Sequence, residues 1–266
     1  MDHQFIIKEL ETVMSETADF IRGHFGRVRQ DQVETKSVNS LVSFVDKEAE
    51  LMLSTKLAQL VPEAGFLTEE QMVSNSVKKM QWIIDPLDGT TNFITGIPHF
   101  SISIALYERS EAILGAVYDV MQKNFYSAIK GQGAFCNGRP IRVNPPKLVS
   151  EMLIATGFPY DKSKITPEFD AALHYYVHHS RCVRRLGSAA LDLCFTAQGT
   201  FDLYFEMHLN PWDIAAGTLI VEEAGGIALS LAGTKDHSGG HLFACSKDAA
   251  ETISWLTQHF NNTFKN

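Results

Sequence analysis

Three β-rich runs follow one another between Phe100 and Ile129 with no helical pattern between them. They are Phe100-Ser101-Ile102-Ser103-Ile104-Ala105-Leu106, then Ala112 to Val120, then Asn124 to Ile129, all dense in β-branched and aromatic residues. Asn137-Gly138 supplies a hairpin turn just beyond them. Past Pro145-Pro146 the pattern changes to alternation. Strands are expected at Met152 to Phe158, Cys182 to Arg184, Phe201 to Glu206, Ile227 to Ser230 and near Leu242 to Cys245. Helices are expected at Pro167 to His179, Ser188 to Ala197, Pro211 to Ala224 and from Asp248 onward. Such alternation favours a layered α/β arrangement. One domain over 1–266 is expected, with an N-terminal α+β half (about 1–145) and a C-terminal α/β half (about 146–266).

Two amphipathic helices precede the β-rich runs. Phe5, Ile6, Leu10, Val13, Met14, Ile21 and Phe25 recur at three- and four-residue steps, and Gly23 and Gly26 mark the end of the first helix. After a polar loop, Ala49, Met52, Leu53, Leu57 and Leu60 define the second, which Pro62 stops. Asp46 stands where a helix takes its cap or first-turn acid. Gly65-Phe66-Leu67 and Trp82-Ile83-Ile84 read as short strands.

Acids gather at the ends of these elements. Glu69-Glu70 follow one strand, Asp85-Pro86-Leu87-Asp88-Gly89-Thr90 follows the next, and Asp213 falls in the first turn of a helix at Pro211-Trp212-Asp213. Pro86 cannot continue a central strand, so a turn is expected there. Each piece has a plain structural explanation: an Asp-Pro-Gly turn, a solvated Glu pair, an acid complementing a helix dipole. If three or four of these carboxylates converge, their repulsion requires a cation, and an all-oxygen set suits Mg²⁺. The Gly89 and Thr90 amides would hold a phosphate beside it if they open a helix. An acid cluster next to an anion cradle points to metal-assisted phosphoester hydrolysis.

Several rival chemistries lack their residues. The acids read D-x-x-D-G-T rather than D-x-D, no cysteine is followed six positions on by an arginine, and neither a G-x-x-x-x-G-K-[ST] loop nor a G-x-S-x-G elbow occurs. His174 and His178 share a helix face, but no H-E-x-x-H zinc pattern is present, and a surface or interface helix accounts for them. Arg181, Arg184 and Arg185 form a basic cluster suited equally to phosphate, a partner chain or ion pairs. A net charge of −8 argues against a nucleic-acid or anionic-membrane surface, so neither partner is expected. Met1-Asp2-His3-Gln4 shows no secretory pattern and no apolar stretch approaches a membrane span. With Cys136, Cys182, Cys194 and Cys245 scattered, free thiols in a reducing cytoplasm are expected.

Taken in order, five segments resemble the inositol monophosphatase family. Trp82 to Phe93 is similar to its first signature, and Trp212-Asp213-Ile214-Ala215-Ala216-Gly217 with Glu222-Glu223-Ala224-Gly225-Gly226 to its second. Between them lie Gly131-Gln132-Gly133-Ala134-Phe135-Cys136-Asn137-Gly138 and Leu186-Gly187-Ser188-Ala189-Ala190-Leu191-Asp192-Leu193. Leu41-Val42-Ser43 to Asp46, with Lys36 upstream, resembles an early L-V-T-x-x-D segment.

The resemblance implies a layered α/β/α/β/α fold of the inositol monophosphatase and fructose-1,6-bisphosphatase type, dependence on two or three Mg²⁺ ions, lithium sensitivity and a homodimer. By position it implies metal ligands at Glu69, Asp85, the Leu87 carbonyl, Asp88 and Asp213. Thr90 and Asp46 would orient the attacking water, with Glu69 also catalytic, and the Gly89 and Thr90 amides would donate to phosphate. Gly187, Ser188, Ala189 and Glu206 would contact the substrate, with Asp88 and Asp213 also reaching it. The implied activity is hydrolysis of myo-inositol 1- or 4-monophosphate or a similar polyol or sugar phosphate. Adenosine 3′,5′-bisphosphate, fructose 1,6-bisphosphate and histidinol phosphate are the alternatives within the fold. The Gly89-Thr90-Thr91-Asn92-Phe93 tail favours the inositol branch over the adenosine bisphosphate branch. A regulatory protein that binds transcription machinery is the alternative of another class. Two departures stand out: Thr68-Glu69-Glu70 replaces Gly-Glu-Glu, and Ser43-Phe44-Val45 replaces a Thr-x-x. The first is expected to shift the loop holding Glu69, and the second to alter the surroundings of Asp46.

Overall fold

The computed structural model describes all residues except 1, 29–32, 38–39, 77, 160, 232, 235–238 and 262–266. The side chain of Lys36 also lies outside the described set.

In chain order, α1 (His3–His24), β1 (Val33–Ser37), β2 (Ser40–Ser43) and α2 (Phe44–Leu60) lead into β3 (Gly65–Thr68), β4 (Met80–Asp88) and the short α3 (Thr90–Thr95). Next come β5 (Ser101–Glu108), β6 (Glu111–Asp119), β7 (Asn124–Ile129), β8 (Ala134–Cys136) and β9 (Arg139–Pro140). Then follow β10 (Leu153–Thr156), α4 (Pro167–His179), β11 (Cys182–Arg184), α5 (Ala189–Ala197), β12 (Leu203–Leu209) and α6 (Pro211–Glu223). Lastly, β13 (Gly226–Ser230), β14 (Gly240–Ser246) and α7 (Ala250–Asn261) complete the order.

The strands form a seven-stranded sheet, β3 through β9 in sequence order, a five-stranded sheet ordered β11-β10-β12-β14-β13, and the β1–β2 hairpin. Neighbours pair antiparallel from β4 to β9, as the uninterrupted β-rich runs require, while β3 runs parallel to β4. The second sheet is mixed: β10 is parallel to β11 and β12, and β14 is antiparallel to β12 and β13.

Packing sorts these elements into five layers. Leu10, Met14 and Ile21 of α1 and Ala49, Leu53 and Leu57 of α2 bury against Trp82, Ile84, Ile102 and Ile104 on one face of the first sheet. The opposite face, with Ile83, Ala105 and Val117, meets α5 and α6, which also pack against Tyr204, Ala228 and Ala244 of the second sheet. On that sheet's outer face, Phe205 and Phe243 pack with Phe169 and Tyr176 of α4 and with Leu256 of α7. The order is therefore α/β/α/β/α. Ile214 to Val221 of α6 are all buried, as a helix between two sheets must be. Fully burying each Ile, Leu or Val contributes about 1.5–3 kcal/mol, so this central layer binds the two sheets together.

Two sequence expectations are corrected. The stretch before α2, read as a polar loop, contains the β1–β2 hairpin. Its run Val33-Glu34-Thr35-Lys36-Ser37 lacks the apolar density that marks a strand, and main-chain pairing forms the hairpin. The chain also does not turn away at Pro86. β4 continues to Asp88, pairing Asp85 with Ser103 and Asp88 with Ser101, so the segment between them carries one residue more than its partner. That bulge absorbs the donor proline lacks and re-aims the side chains of this strand end.

Candidate active site

At the end of β4 the backbone folds onto its own acid. The Leu87 amide donates to Asp85 Oδ1 at 2.9 Å, fixing the buried Asp85 carboxylate at the bulge. Gly89 then takes φ +99°, a left-handed conformation, and becomes the N-cap of α3. A Cβ there would lie 3.1 Å from Phe100 Cβ and 3.2 Å from the Gly187 carbonyl oxygen. Both its backbone angle and its space therefore call for glycine.

The hydroxyl of Thr90 lies 2.9 Å from Asp46 Oδ1 and 3.0 Å from the Leu87 carbonyl oxygen. A single hydroxyl proton serves one of these acceptors at a time, and an ionised carboxylate is the stronger. The other oxygen of Asp46 takes the Ser43 amide at 2.9 Å and the Ser43 hydroxyl at 2.7 Å, closing a capping box on α2. The helix-cap reading and the Thr90-partner reading of Asp46 thus both hold, one on each oxygen. Burial raises the Asp46 pKa, against the lowering effect of its bonds to Ser43 and Thr90. Ser43, the departure from Thr, keeps the hydroxyl this arrangement uses.

Asp88 is held from behind. Its Oδ2 accepts from the Ser188 hydroxyl at 2.6 Å and the Ala190 amide at 2.8 Å, at the start of α5. Burial pushes its pKa up to about 6, with the Ser188 and Ala190 bonds opposing and the Glu69 charge reinforcing. Asp213, third residue of α6, accepts the Asn210 amide at 2.6 Å. The pKa values of Asp85 and Asp213 are both raised well above the ordinary carboxylate range. Burial is the main cause, followed by the charge of Glu69 and, more weakly, by Asp88. Glu206 accepts from the Tyr204 hydroxyl at 2.8 Å, and burial brings its pKa to about 7.

The loop carrying Glu69 hangs between a strand and a helix. The Glu69 amide donates to the Ile84 carbonyl at 3.2 Å. On the other side, the fully buried Glu50 of α2 accepts from the Thr68 hydroxyl at 2.8 Å, the Glu70 amide at 2.7 Å and the Met72 amide at 2.6 Å. Burying a carboxylate costs several kcal/mol, and hydrogen bonds to a charged group contribute about 1.5–3 kcal/mol each, so three offset it. The hydroxyl of Thr68, the departure from Gly, is one of the three anchors.

A cleft of about 390 Å³ is lined by Glu69, Asp85, Leu87, Asp88, Gly89, Thr90, Glu206 and Asp213, together with Phe158, Pro159, Asp161, Lys164 and Met207 to Asn210. Ser188 is buried against Asp88, and Gly187, Ser188 and Ala189 are not among the residues lining the cleft. Asn92 and Phe93 are also outside it. Asn92 ties the carbonyls of His99 and Leu186 at 2.7 and 2.8 Å, and Phe93 packs edge-on to Phe100. The sequence gives little notice of Phe158, Asp161, Lys164 and His208 in the lining, because the segment after β10 and the end of β12 bring them there. Glu50 does leave a trace: it is a charged residue on the buried face of α2, one turn after Asp46.

The His174 and His178 rings lie 4.3 Å apart, tilted at 48°, on α4 and outside the cleft lining. Among the basic cluster, Arg185 approaches the site: its guanidinium lies 5.9 Å from the Phe158 ring and lowers the pKa of Glu206.

The donor chemistry of the cleft fits a hard divalent cation. Glu69, Asp85, Asp88 and Asp213, with the Leu87 main-chain carbonyl, offer only oxygen, and the acids hold one another's pKa values up. Among the described residues, no three His, Cys, Asp or Glu side chains already form a closed metal-binding group.

A model of the inositol monophosphatase family matches residues 2–262. The inositol-1-monophosphatase of Rhizobium meliloti (strain 1021) is 39% identical over 236 residues, covering 88% of this chain and 89% of that one. The Nus factor SuhB of Pasteurella multocida (strain Pm70) is 38% identical over 232 residues, covering 86% and 87%. Among solved structures, the extragenic suppressor protein suhB from Bartonella henselae superposes with a TM-score of 0.89 at 30% identity, covering 97% and 99%.

Proposed function

The chain belongs to the inositol monophosphatase family, and from that premise we propose that it is a Mg²⁺-dependent phosphomonoesterase acting on myo-inositol monophosphate or a similar small polyol or sugar phosphate. The observation that carries this reading is the meeting of Glu69, Asp85, Asp88 and Asp213 in one cleft with Thr90, whose hydroxyl is paired to Asp46.

In this reading Glu69, Asp85, the Leu87 carbonyl, Asp88 and Asp213 hold two or three Mg²⁺ ions. Bound there, the ions neutralise charge on phosphate and leaving oxygen and lower the pKa of water. Thr90 keeps its hydroxyl proton in the hydrogen bond to Asp46 and turns its oxygen lone pairs to the attacking water, orienting it toward phosphorus. The Gly89 and Thr90 amides receive phosphate oxygens. The water oxygen bonds to phosphorus, the ester P–O bond breaks, and the water protons end on the alcohol and on phosphate. Glu206, in the lining of the same cleft, accepts from a hydroxyl of the alcohol. The proposed assembly is a homodimer.

A panel of phosphomonoesters assayed with Mg²⁺ tests the reading: inositol 1- and 4-phosphates, fructose 1,6-bisphosphate, histidinol phosphate and adenosine 3′,5′-bisphosphate. Preference for an inositol or sugar monophosphate is expected. Preference for histidinol phosphate or the adenosine bisphosphate would overturn the substrate assignment.

The relatives named Nus factor SuhB favour a second reading, in which the chain also binds transcription machinery. Absence of turnover on the whole panel, together with co-purification of a transcription component, would put that reading first.

A further inference from the structure

α2 carries two buried carboxylates one helical turn apart, Asp46 and Glu50, and each reaches a different loop of the cleft. Asp46 takes the Thr90 hydroxyl at the end of β4. Glu50 takes Thr68, Glu70 and Met72, a set of donors that straddles Glu69. Glu50 itself does not line the cleft.

The main chain at Glu69 is therefore gripped on two sides. Its own amide bonds to Ile84, the residue before Asp85, and the residues flanking it bond to Glu50. Neither grip touches the Glu69 carboxylate, so both act on where the side chain starts from. An apolar residue at 50 would leave the buried Thr68 hydroxyl and the part-buried Glu70 and Met72 amides without this acceptor. A single carboxylate satisfies all three because it offers about four lone-pair sites.

We infer that Glu50 is a positioning residue: with Asp46 it makes α2 the common reference for the Glu69 loop and for Thr90. Thr68 is the side-chain half of this device. The inference rests on the phosphatase reading for its kinetic consequence but not for its structural one.

Thr68→Val removes one donor at nearly constant volume, Thr68→Ser keeps the hydroxyl, and Glu50→Gln replaces one acceptor oxygen with a donor. Mg²⁺ affinity is measured by calorimetry, amide hydrogen exchange is followed in the metal-free protein, and kcat and KM are taken on the best substrate of the panel. Residues that orient metal ligands typically change metal affinity about 10–100-fold when removed. Thr68→Val is expected at the low end, roughly tenfold weaker for Mg²⁺, with KM for substrate within about twofold and Thr68→Ser near wild type. Exchange at residues 69–72 should accelerate in Glu50→Gln and Thr68→Val while β5 and β6 keep their protection.

Unchanged Mg²⁺ affinity in Thr68→Val and Glu50→Gln would overturn the inference, as would faster exchange spread evenly over the core, the mark of a staple for the whole fold. If Glu50→Gln does not fold, the Thr68 pair decides alone. If no ester on the panel is hydrolysed, the functional reading fails while the Mg²⁺ and exchange measurements still judge the role of Glu50.

Discussion

Thr90 and Asp46, 44 residues apart, meet at 2.9 Å between the start of α3 and the first turn of α2. The carboxylate divides its oxygens between a hydroxyl at the cleft and the cap of its own helix. The two roles separate by mutation. Thr90→Val should lower kcat about 10²–10⁴-fold, the usual span for a lost proton-transfer or orienting group, with little change in melting temperature. Asp46→Asn should cost a similar factor in rate and, in addition, about 0.5–2 kcal/mol of stability from the weakened cap. Steady-state kinetics beside chemical denaturation separate them; equal stability losses in both variants would contradict the division.

Asp88 stands at the contact between β4 and α5, held by Ser188 and Ala190. Asp88→Asn removes charge where the ions are proposed to bind and is expected to cost several orders of magnitude in kcat. Ser188→Ala removes only a support and should cost far less, with part of the loss recovered at high Mg²⁺. Near-normal turnover by Asp88→Asn would rule out the proposed arrangement.

Mg²⁺ should stabilise the protein more at pH 8 than at pH 5. In the metal-free protein, folded-state pKa values of Asp85, Asp88 and Asp213 are raised above the ordinary 3.8, chiefly by burial and with Glu69 adding repulsion. The folded chain therefore holds these protons more tightly than the unfolded one. The associated stability is present below the ordinary value and is lost as pH rises through the folded values, about 6 for Asp88. Cations offset that loss where the acids are ionised and compete with protons where they are not. Thermal melts with and without Mg²⁺ across this range provide the measurement, and a gain independent of pH would count against the site.

Gly157 seats the carboxylate of Glu206. A Cβ at 157 would fall 2.0 Å from Glu206 Cδ and from both its oxygens. Gly157→Ala must push Glu206 aside, so KM for an inositol or sugar phosphate should rise about tenfold, the loss of a hydrogen bond to a charged acceptor, with a smaller change in kcat. A variant with unchanged KM would remove Glu206 from substrate recognition.

Much of the architecture is legible in the residues. The periodicity of α1 and α2, the β-rich runs that became β5 to β7, the Asn137-Gly138 turn and the alternation after Pro145-Pro146 all express local preferences of 3.6 or 2 residues. The family is legible for a different reason. Its acids lie in short segments that follow one another in the order of the family's signatures.

Other features depend on contacts that no local pattern encodes. Pro86 read alone predicts a turn, but a bulge lets β4 pass through it and turns Asp85 and Asp88 to their stations. Ser188 reads as the start of a helix and, by resemblance, as a substrate contact; the start of α5 meeting the end of β4 makes it the partner of Asp88. Thr68 reads in the sequence as a departure beside Glu69; in the fold its hydroxyl donates to Glu50, 18 residues away. The order of apolar and β-branched residues along the chain determined which segments became helices and strands, and the signature acids determined the family. Only the tertiary structure decided which oxygen faces which donor, because a hydrogen bond is settled within a few tenths of an ångström by elements that meet from distant parts of the chain.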